Sequence, residues 1–389
     1  MEELHISDEI YNQIKDFQRL ALTDEQELLI NKIIPSELYE SYIKYGLCER
    51  CKQIRTHYTW CQTLQEFSKE VKFHSELNYL PNYIKCYGIS QDPNTKNYIM
   101  VMDFASRGSL RNFLNESYKD MSWKDKILYM TWIIDGLKDI HDKDIIHRDF
   151  HSGNILIKDT HNFCIGDLGL CEIDDGKSVN EDKKIFGVLP YIAPEVLKGQ
   201  KYTKAADIYA FGIISYEIIT GLPPYCDIPH DQYLALKICE GLRPQSKNYH
   251  VPQLLSDLIK QCWNADPLKR PSAEKLKNMT SKLFVDISAD RREQNLFSNR
   301  DPDESGISKQ CAQADKLNKK VAQNSSKVTY QTHPQAVYTS RHLNYKSLLS
   351  SEATHKFDIP ESLHFDLDNF DIYEEDGDDE PKILGKQPI

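Results

Sequence analysis

The sequence predicts an α+β fold, a helix and a strand hairpin followed by a longer stretch made mostly of helices. Three observations predict it. Residues 63–105 read as a helix followed by two strands. Residues 124–143 carry a strong helical apolar period, with further helices between 205 and 285, and beyond Ser288 the period fades.

In chain order, residues 1–62 form a helical N-terminal region. Ile10, Ile14, Phe17 and Leu20, then Leu28, Leu29, Ile33 and Ile34, recur at three-to-four spacing. The region closes on a cysteine knuckle, Cys48-Glu-Arg-Cys51 followed by Cys61, which has the spacing of half a zinc ribbon. A second C-x-x-C would put its partner at Leu64, leaving His57 as the substitute. Cys48, Cys51 and Cys61 are therefore a candidate structural Zn2+ set, the alternative being three reduced cysteines in a polar linker.

Residues 63–105 hold a helix over 65–77, a strand over 83–89, a turn at Gln91-Asp92-Pro93-Asn94-Thr95 and a strand at Tyr98–Met102. Within 106–285, the helix over 124–143 sets Ile127, Tyr129, Met130, Ile133, Ile134, Leu137 and Ile140 on one face. Residues 286–389 are rich in Ser, Asn, Gln, Asp and Lys. Their scattered apolar residues bury too little to offset the entropy of ordering, so a disordered acidic tail is expected, with docking motifs such as Phe365-Asp366-Leu367.

Charge and composition exclude several classes. Residues 351–389 hold 12 Asp and Glu against 3 Lys, so −9 of the net −11 lies there. The chain has no basic footprint for phosphate neutralisation, which argues against nucleic-acid binding and makes the tail a solvated or protein-facing segment. No run of 18 apolar residues and no signal-peptide pattern occur, so neither a membrane span nor secretion is expected. Ten scattered cysteines suit a reducing compartment, the cytoplasm with the nucleus as the alternative.

The residues with chemistry begin at His147-Arg-Asp-Phe-His-Ser-Gly-Asn154, followed by the apolar strand Ile155-Leu156-Ile157. Thirteen residues after Asn154, beyond a turn at 159–162, comes Asp167-Leu168-Gly169. These stretches resemble the H-R-D-x-x-x-x-N loop and the D-F-G element of the protein kinase superfamily. Gly187-Val-Leu-Pro-Tyr-Ile-Ala-Pro-Glu195, Asp207-Ile-Tyr-Ala-Phe-Gly212, Cys262-Trp263 and Pro267-Leu-Lys-Arg-Pro271 extend the resemblance in family order.

The resemblance implies a two-lobed protein kinase fold with a truncated N-lobe β-sheet and a complete, mostly helical C-lobe. It also implies ATP and Mg2+ as cofactors and a protein substrate. Asp149 would be the catalytic base, and Asn154 and Asp167 the magnesium ligands. Met102 would be the gatekeeper, Asp103 and Ala105 the adenine-bonding hinge, Leu156 the adenine floor and Glu70 the ion-pair glutamate. Arg270 is expected to pair with Glu195, and both, with Asp207, are expected to hold the fold. His147 is expected to be a packed scaffold residue. Arg148 would receive an activation-segment phosphate, for which Ser178 is the one hydroxyl between Asp167 and Gly187.

The family pattern also breaks. Gly46 is the only glycine before residue 66, so no glycine-rich phosphate loop exists there, and no V-A-x-K lysine precedes the helix of Glu70. His151 stands where serine/threonine kinases usually carry lysine, and Val188 where they carry threonine. Three readings remain open: a protein kinase favouring Ser/Thr over Tyr, a pseudokinase scaffold, and an incomplete gene model of an active kinase. The short sheet is expected to leave apolar surface around Ile99 and Val101.

Overall fold

The structure is a computed structural model. It describes residues 8–15, 17, 22–34, 39, 42–43, 47, 62–93, 98–159, 162–174, 185–245, 249–293, 306–324 and 332–343. All of these fall within one unit, Met1–Lys346. Cys48, Cys51, Cys61, Ser178 and the acidic end with Phe365 lie outside the described residues, so the zinc and activation-phosphate expectations do too.

The N-terminal helices are α1, Asp8–Ile14, and α2, Asp24–Ile33. Thr23 starts α2 through a capping box in which its hydroxyl accepts the Gln26 N–H and the Gln26 side chain accepts the Thr23 N–H. Ile14, Ile30, Ile34 and Tyr42 form a buried cluster, tied by the Tyr42 hydroxyl to the Ile14 carbonyl at 3.2 Å. The apolar period was misphased at one position: Leu28 is 60% exposed, and Ile30, one turn before Ile34, is the buried residue.

Helix α3, Gln62–Leu77, leads to β1, Cys86–Gln91, paired antiparallel with β2, Tyr98–Met102. The expected strand over 83–89 starts later and runs further. Residues 82–84 are instead captured by a deeper strand: Ile165 donates its N–H to the Asn82 carbonyl and Ile84 donates to the Ile165 carbonyl. The buried Tyr83 hydroxyl reaches the Gly136 carbonyl at 2.5 Å. Apolar side chains are open on both faces of the β1–β2 sheet: Ile99 and Val101, each 45% exposed, on one, and Ile89, 51% exposed and opposite Met100, on the other.

Below it, α4, Leu110–Ser117, precedes α5, Trp123–His141, which begins on a Ser122/Asp125 capping box. The predicted face of α5 is the core face, with Ile127, Met130, Ile133, Ile134, Leu137 and Ile140 all buried. Then come β3, Ile145–Ile146; β4, Ile155–Asp159; β5, Asn162–Ile165; β6, Glu172–Ile173; and β7, Ile185–Gly187. β3 pairs with β6 and β4 with β5. The helical part continues with α6, Pro194–Leu197; α7, Lys204–Thr220; α8, Gln232–Cys239; α9, Gln253–Cys262; and α10, Ala273–Glu293. α7 is apolar almost all round and buried from Ala206 to Thr220, which makes it the axis of this lobe.

The expectation of disorder over 286–389 is corrected in three places, the first being residues 286–293, which are the end of α10. Residues 307–324 form α11, Ile307–Asn324, and residues 341–343 form β8, which pairs with β7. α11 was missed because its few apolar residues do their work by docking: Ile307, Cys311 and Ala314 are buried, and Trp123 Nε1 donates to Asp315 at 2.7 Å. No helix among the described residues is long and apolar enough to cross a membrane.

Candidate functional site

The loop 147–154 is hung from the buried carboxylate of Asp207 at the start of α7. Asp207 accepts the N–H groups of His147 at 2.8 Å and Arg148 at 3.0 Å and faces His141 Nε2 at 2.9 Å. These anchors hold Arg148 at φ 68°, a left-handed conformation that a non-glycine residue keeps only when its surroundings enforce it. His147 is fully buried, with Nε2 3.3 Å from the Gly166 carbonyl and its ring edge-on to Phe150. Arg148 Nη1 pairs with Glu172 at 2.6 Å, so a carboxylate occupies the guanidinium expected to receive phosphate.

Asp149 is 4% exposed. His151 Nε2 and Asn154 Nδ2 both lie 3.5 Å from its Oδ2. His151 Nδ1 accepts the Gly153 N–H at 3.0 Å, which leaves the ring proton on Nε2, facing Asp149. A Cβ at Gly153 would stand 2.7 Å from His151 Cε1, so only glycine permits this ring position. Burial raises the Asp149 carboxyl pKa, but the His151 hydrogen bond and the neighbouring histidines outweigh it and hold the group below its ordinary value.

Asn154 spends its amide nitrogen on the Asp149 carbonyl at 3.0 Å, leaving Oδ1 as its oxygen donor. Asp167 sits at φ 56°, with Oδ1 accepting the Gly169 N–H at 3.4 Å. A Cβ on Gly169 would be 3.4 Å from Asp167 Oδ1 and 3.5 Å from Glu70 Oε2, so the two carboxylates share the space over this glycine. Burial first, then the charge of Asp167, raises the Glu70 pKa, and His74 Nε2 stands 3.9 Å from Glu70. A carboxylate and an amide oxygen are hard donors of the kind that Mg2+ takes beside phosphate and water, so Asp167 and Asn154 fit the expected ion. Among the described residues no group of three or more His, Cys, Asp or Glu gathers as a metal site by itself. Leu168, between Asp167 and Gly169, is fully buried.

The connector after β2 is stitched to β4: Arg107 donates to the Ile157 carbonyl, Ile157 donates to the Gly108 carbonyl, and Ser109 bridges Leu156. This brings residues 107–109 beside Leu156 and Ile157, with Asp103 paired to Lys158. Asp103 donates its N–H to the Lys85 carbonyl, and its carboxylate accepts from Lys158 Nζ at 2.5 Å and from the Tyr87 hydroxyl. The Ala105 carbonyl accepts the Gly108 N–H at 3.0 Å.

Sequence reasoning missed His141 and the junction at Arg111. Arg111 Nη2 donates to Ser152 Oγ at 2.9 Å and Tyr191 at 2.5 Å, and pairs with Glu217 at 3.2 Å. Partners up to 106 residues apart leave no local signal.

Residues 50–280 match the family described as protein tyrosine and serine/threonine kinase. A probable serine/threonine-protein kinase of Dictyostelium discoideum is 34% identical over 229 residues, 57% of this chain and 16% of the relative. From the same organism, a probable LIM domain-containing serine/threonine-protein kinase is 30% identical over 234 residues, 60% of this chain and 35% of the relative. The probable serine/threonine-protein kinase drkB is 31% identical over 292 residues, 71% of this chain and 40% of the relative. The chain thus spans well under half of each of these relatives.

Proposed function

Because the chain belongs to the protein tyrosine and serine/threonine kinase family, we propose that it transfers the γ-phosphate of ATP to a protein hydroxyl, serine or threonine ahead of tyrosine. The observation that carries this is the state of Asp149: a buried carboxylate kept ionised beside the His151 and Asn154 donors, on a loop fixed by Asp207. A carboxylate so held takes the proton of an incoming hydroxyl. Asn154 and Asp167 would hold Mg2+, which neutralises phosphate charge, while Met102, Asp103, Ala105 and Leu156 would border the adenine. The preference for serine or threonine rests on the printed descriptions of the relatives.

A second reading, a pseudokinase that keeps the fold for binding alone, draws on one observation. Glu70 faces Asp167 and His74, and no third-strand lysine precedes it in the sequence. A protein partner for the acidic end and a cytoplasmic or nuclear address belong to the same proposal. They are supported by the charge of −9 over 351–389 and by free thiols at Cys86, Cys164, Cys171, Cys226, Cys239, Cys262 and Cys311.

Thermal unfolding with and without Mg·ATP tests the proposal, with Asp167→Asn as control. Nucleotide at about 100 times its Kd stabilises by about 2.7 kcal/mol. A shift lost in Asp167→Asn, with phosphotransfer lost in Asp149→Asn, is the expected pair. No shift in a folded sample favours the binding-only reading.

A further inference from the structure

Residues 332–343 run from a turn at Pro334–Gln335, closed by the Ala336 N–H on the His333 carbonyl at 2.8 Å, to the strand β8 beside the loop of Asp149. His333 donates its N–H to the Cys226 carbonyl at 2.7 Å, His230 donates to the Gln335 carbonyl at 3.0 Å, and Arg341 Nη2 donates to the His230 carbonyl at 2.7 Å. The His230 ring is part of the seat, taking the Val337 N–H on Nδ1 at 3.1 Å, with Nε2 3.2 Å from the Tyr225 carbonyl. Tyr338 is held on two sides. Its hydroxyl donates to the Pro224 carbonyl at 2.9 Å, and its ring lies 4.1 Å under the Arg111 guanidinium.

The segment then becomes β8, antiparallel to β7, with Arg341 opposite Gly187, His342 opposite Phe186 and Leu343 opposite Ile185. Gly187 is the residue whose added Cβ would meet Asp149 Oδ1 at 3.3 Å, so the register brings the strand to the carboxylate. Ser340, next to Arg341, is solvent-exposed, and its side chain is close enough to Asp149 to help hold that carboxyl below its ordinary value. Adding a strand to an open edge, with main-chain bonds for affinity and side-chain seats for register, is a general way for one peptide to be read by another.

We propose that residues 332–343 are an acceptor peptide built into the chain and that Ser340 is a phosphorylation site presented in cis to Asp149. This rests on the phosphotransfer proposed above. In the step, the Ser340 hydroxyl proton passes to the Asp149 carboxylate and the Oγ–Pγ bond forms. The bond from Pγ to the β–γ bridging oxygen breaks, and its electron pair leaves with ADP. The neighbouring hydroxyl of Tyr338 is already engaged, by the Pro224 carbonyl. The product carries about −1.5 to −2 charge against Asp149, so phosphorylation drives the segment from its seat.

The test incubates the purified full chain with Mg·ATP and sequences the tryptic peptide Val328–Arg341 by mass spectrometry. The expected result is phosphate on Ser340, at a fractional rate unchanged by a tenfold dilution of the chain. The label is lost in Ser340→Ala and in Asp149→Asn, and amide exchange over 226–230 and 333–338 quickens once the label is in place. A Tyr338→Ala/Ser340→Ala chain, with its groove loosened, is given a synthetic peptide of residues 330–345. Phosphate on that peptide with none on Ser340 of the intact chain overturns this inference and leaves the proposed function standing. Phosphate on neither overturns both, and a fractional rate that falls on dilution overturns presentation in cis.

Discussion

Arg270 and Glu195 form a bidentate ion pair, Nη1 to Oε1 and Nη2 to Oε2, both at 2.7 Å, inside the helical lobe. Arg270 also donates to the carbonyls of Asn264 and Ala205, so one guanidinium ties the turn before α10 to the stretches entering α6 and α7. Removing one partner strands the other charge in the interior. Arg270→Ala is expected to lower stability by about 3 to 5 kcal/mol, read as the change in ΔG from urea unfolding. A loss under about 1 kcal/mol would mean that water reaches the pair.

Gly153 is the spacing that lets His151 face Asp149. Gly153→Ala pushes a methyl into the ring that the Gly153 N–H now holds, and the ring must swing away. Displacing a positioned group by about 1 Å costs on the order of 100-fold in rate. The expected outcome is phosphotransfer reduced by about that factor, with the Mg·ATP thermal shift retained. Loss of the shift as well would show that the substitution disturbs the whole loop.

Asp315 holds α11 to α5 through Trp123 Nε1, and Asn318 exchanges two hydrogen bonds with the His250 backbone. Hydrogen bonds to charged groups contribute about 1.5 to 3 kcal/mol. Asp315→Ala is expected to cost that much and to speed exchange of the His250 amide, as seen by hydrogen-exchange mass spectrometry. An unchanged rate there would place the anchor of α11 elsewhere.

Lys126 is 3% exposed, with Nζ near the Tyr118 and Tyr249 hydroxyls and the Ile219 carbonyl, among the rings of Tyr118, Trp123 and Tyr249. Burial outweighs the charge of Asp315 and brings its pKa down to about 7. The unfolded amine keeps its proton up to about 10.4. Between these values the unfolded state binds more protons, so the sign is fixed: stability rises with pH from about 7 toward about 10.4, by up to about 1.4 kcal/mol per pH unit from this one group, and this contribution is flat below about 7, where both states hold the proton. Denaturation midpoints from pH 7 to 9.5 should climb in the native chain and flatten in Lys126→Met. Equal slopes in both chains would remove Lys126 as the cause.

The face of α5, the strand Tyr98–Met102, the loop 147–154 and the Arg270–Glu195 pair were legible in the sequence. Helical period and alternation are local, and the kinase-like motifs keep their spacing because the loop must carry its carboxylate and amide a fixed number of residues apart. The tertiary structure alone decided what lies against that loop. Arg111 gathers Ser152, Tyr191 and Glu217 from separate elements, and residues 306–324 and 332–343 order by docking. Each of those partners lies tens to hundreds of residues away, and docking energy leaves no period in the docked segment, so a chain read for its own periodicity looks unstructured where its partner is distant. The sequence by itself determined the order and spacing of the kinase-like motifs; the fold decided that β8 lies along β7, whose Gly187 stands beside Asp149.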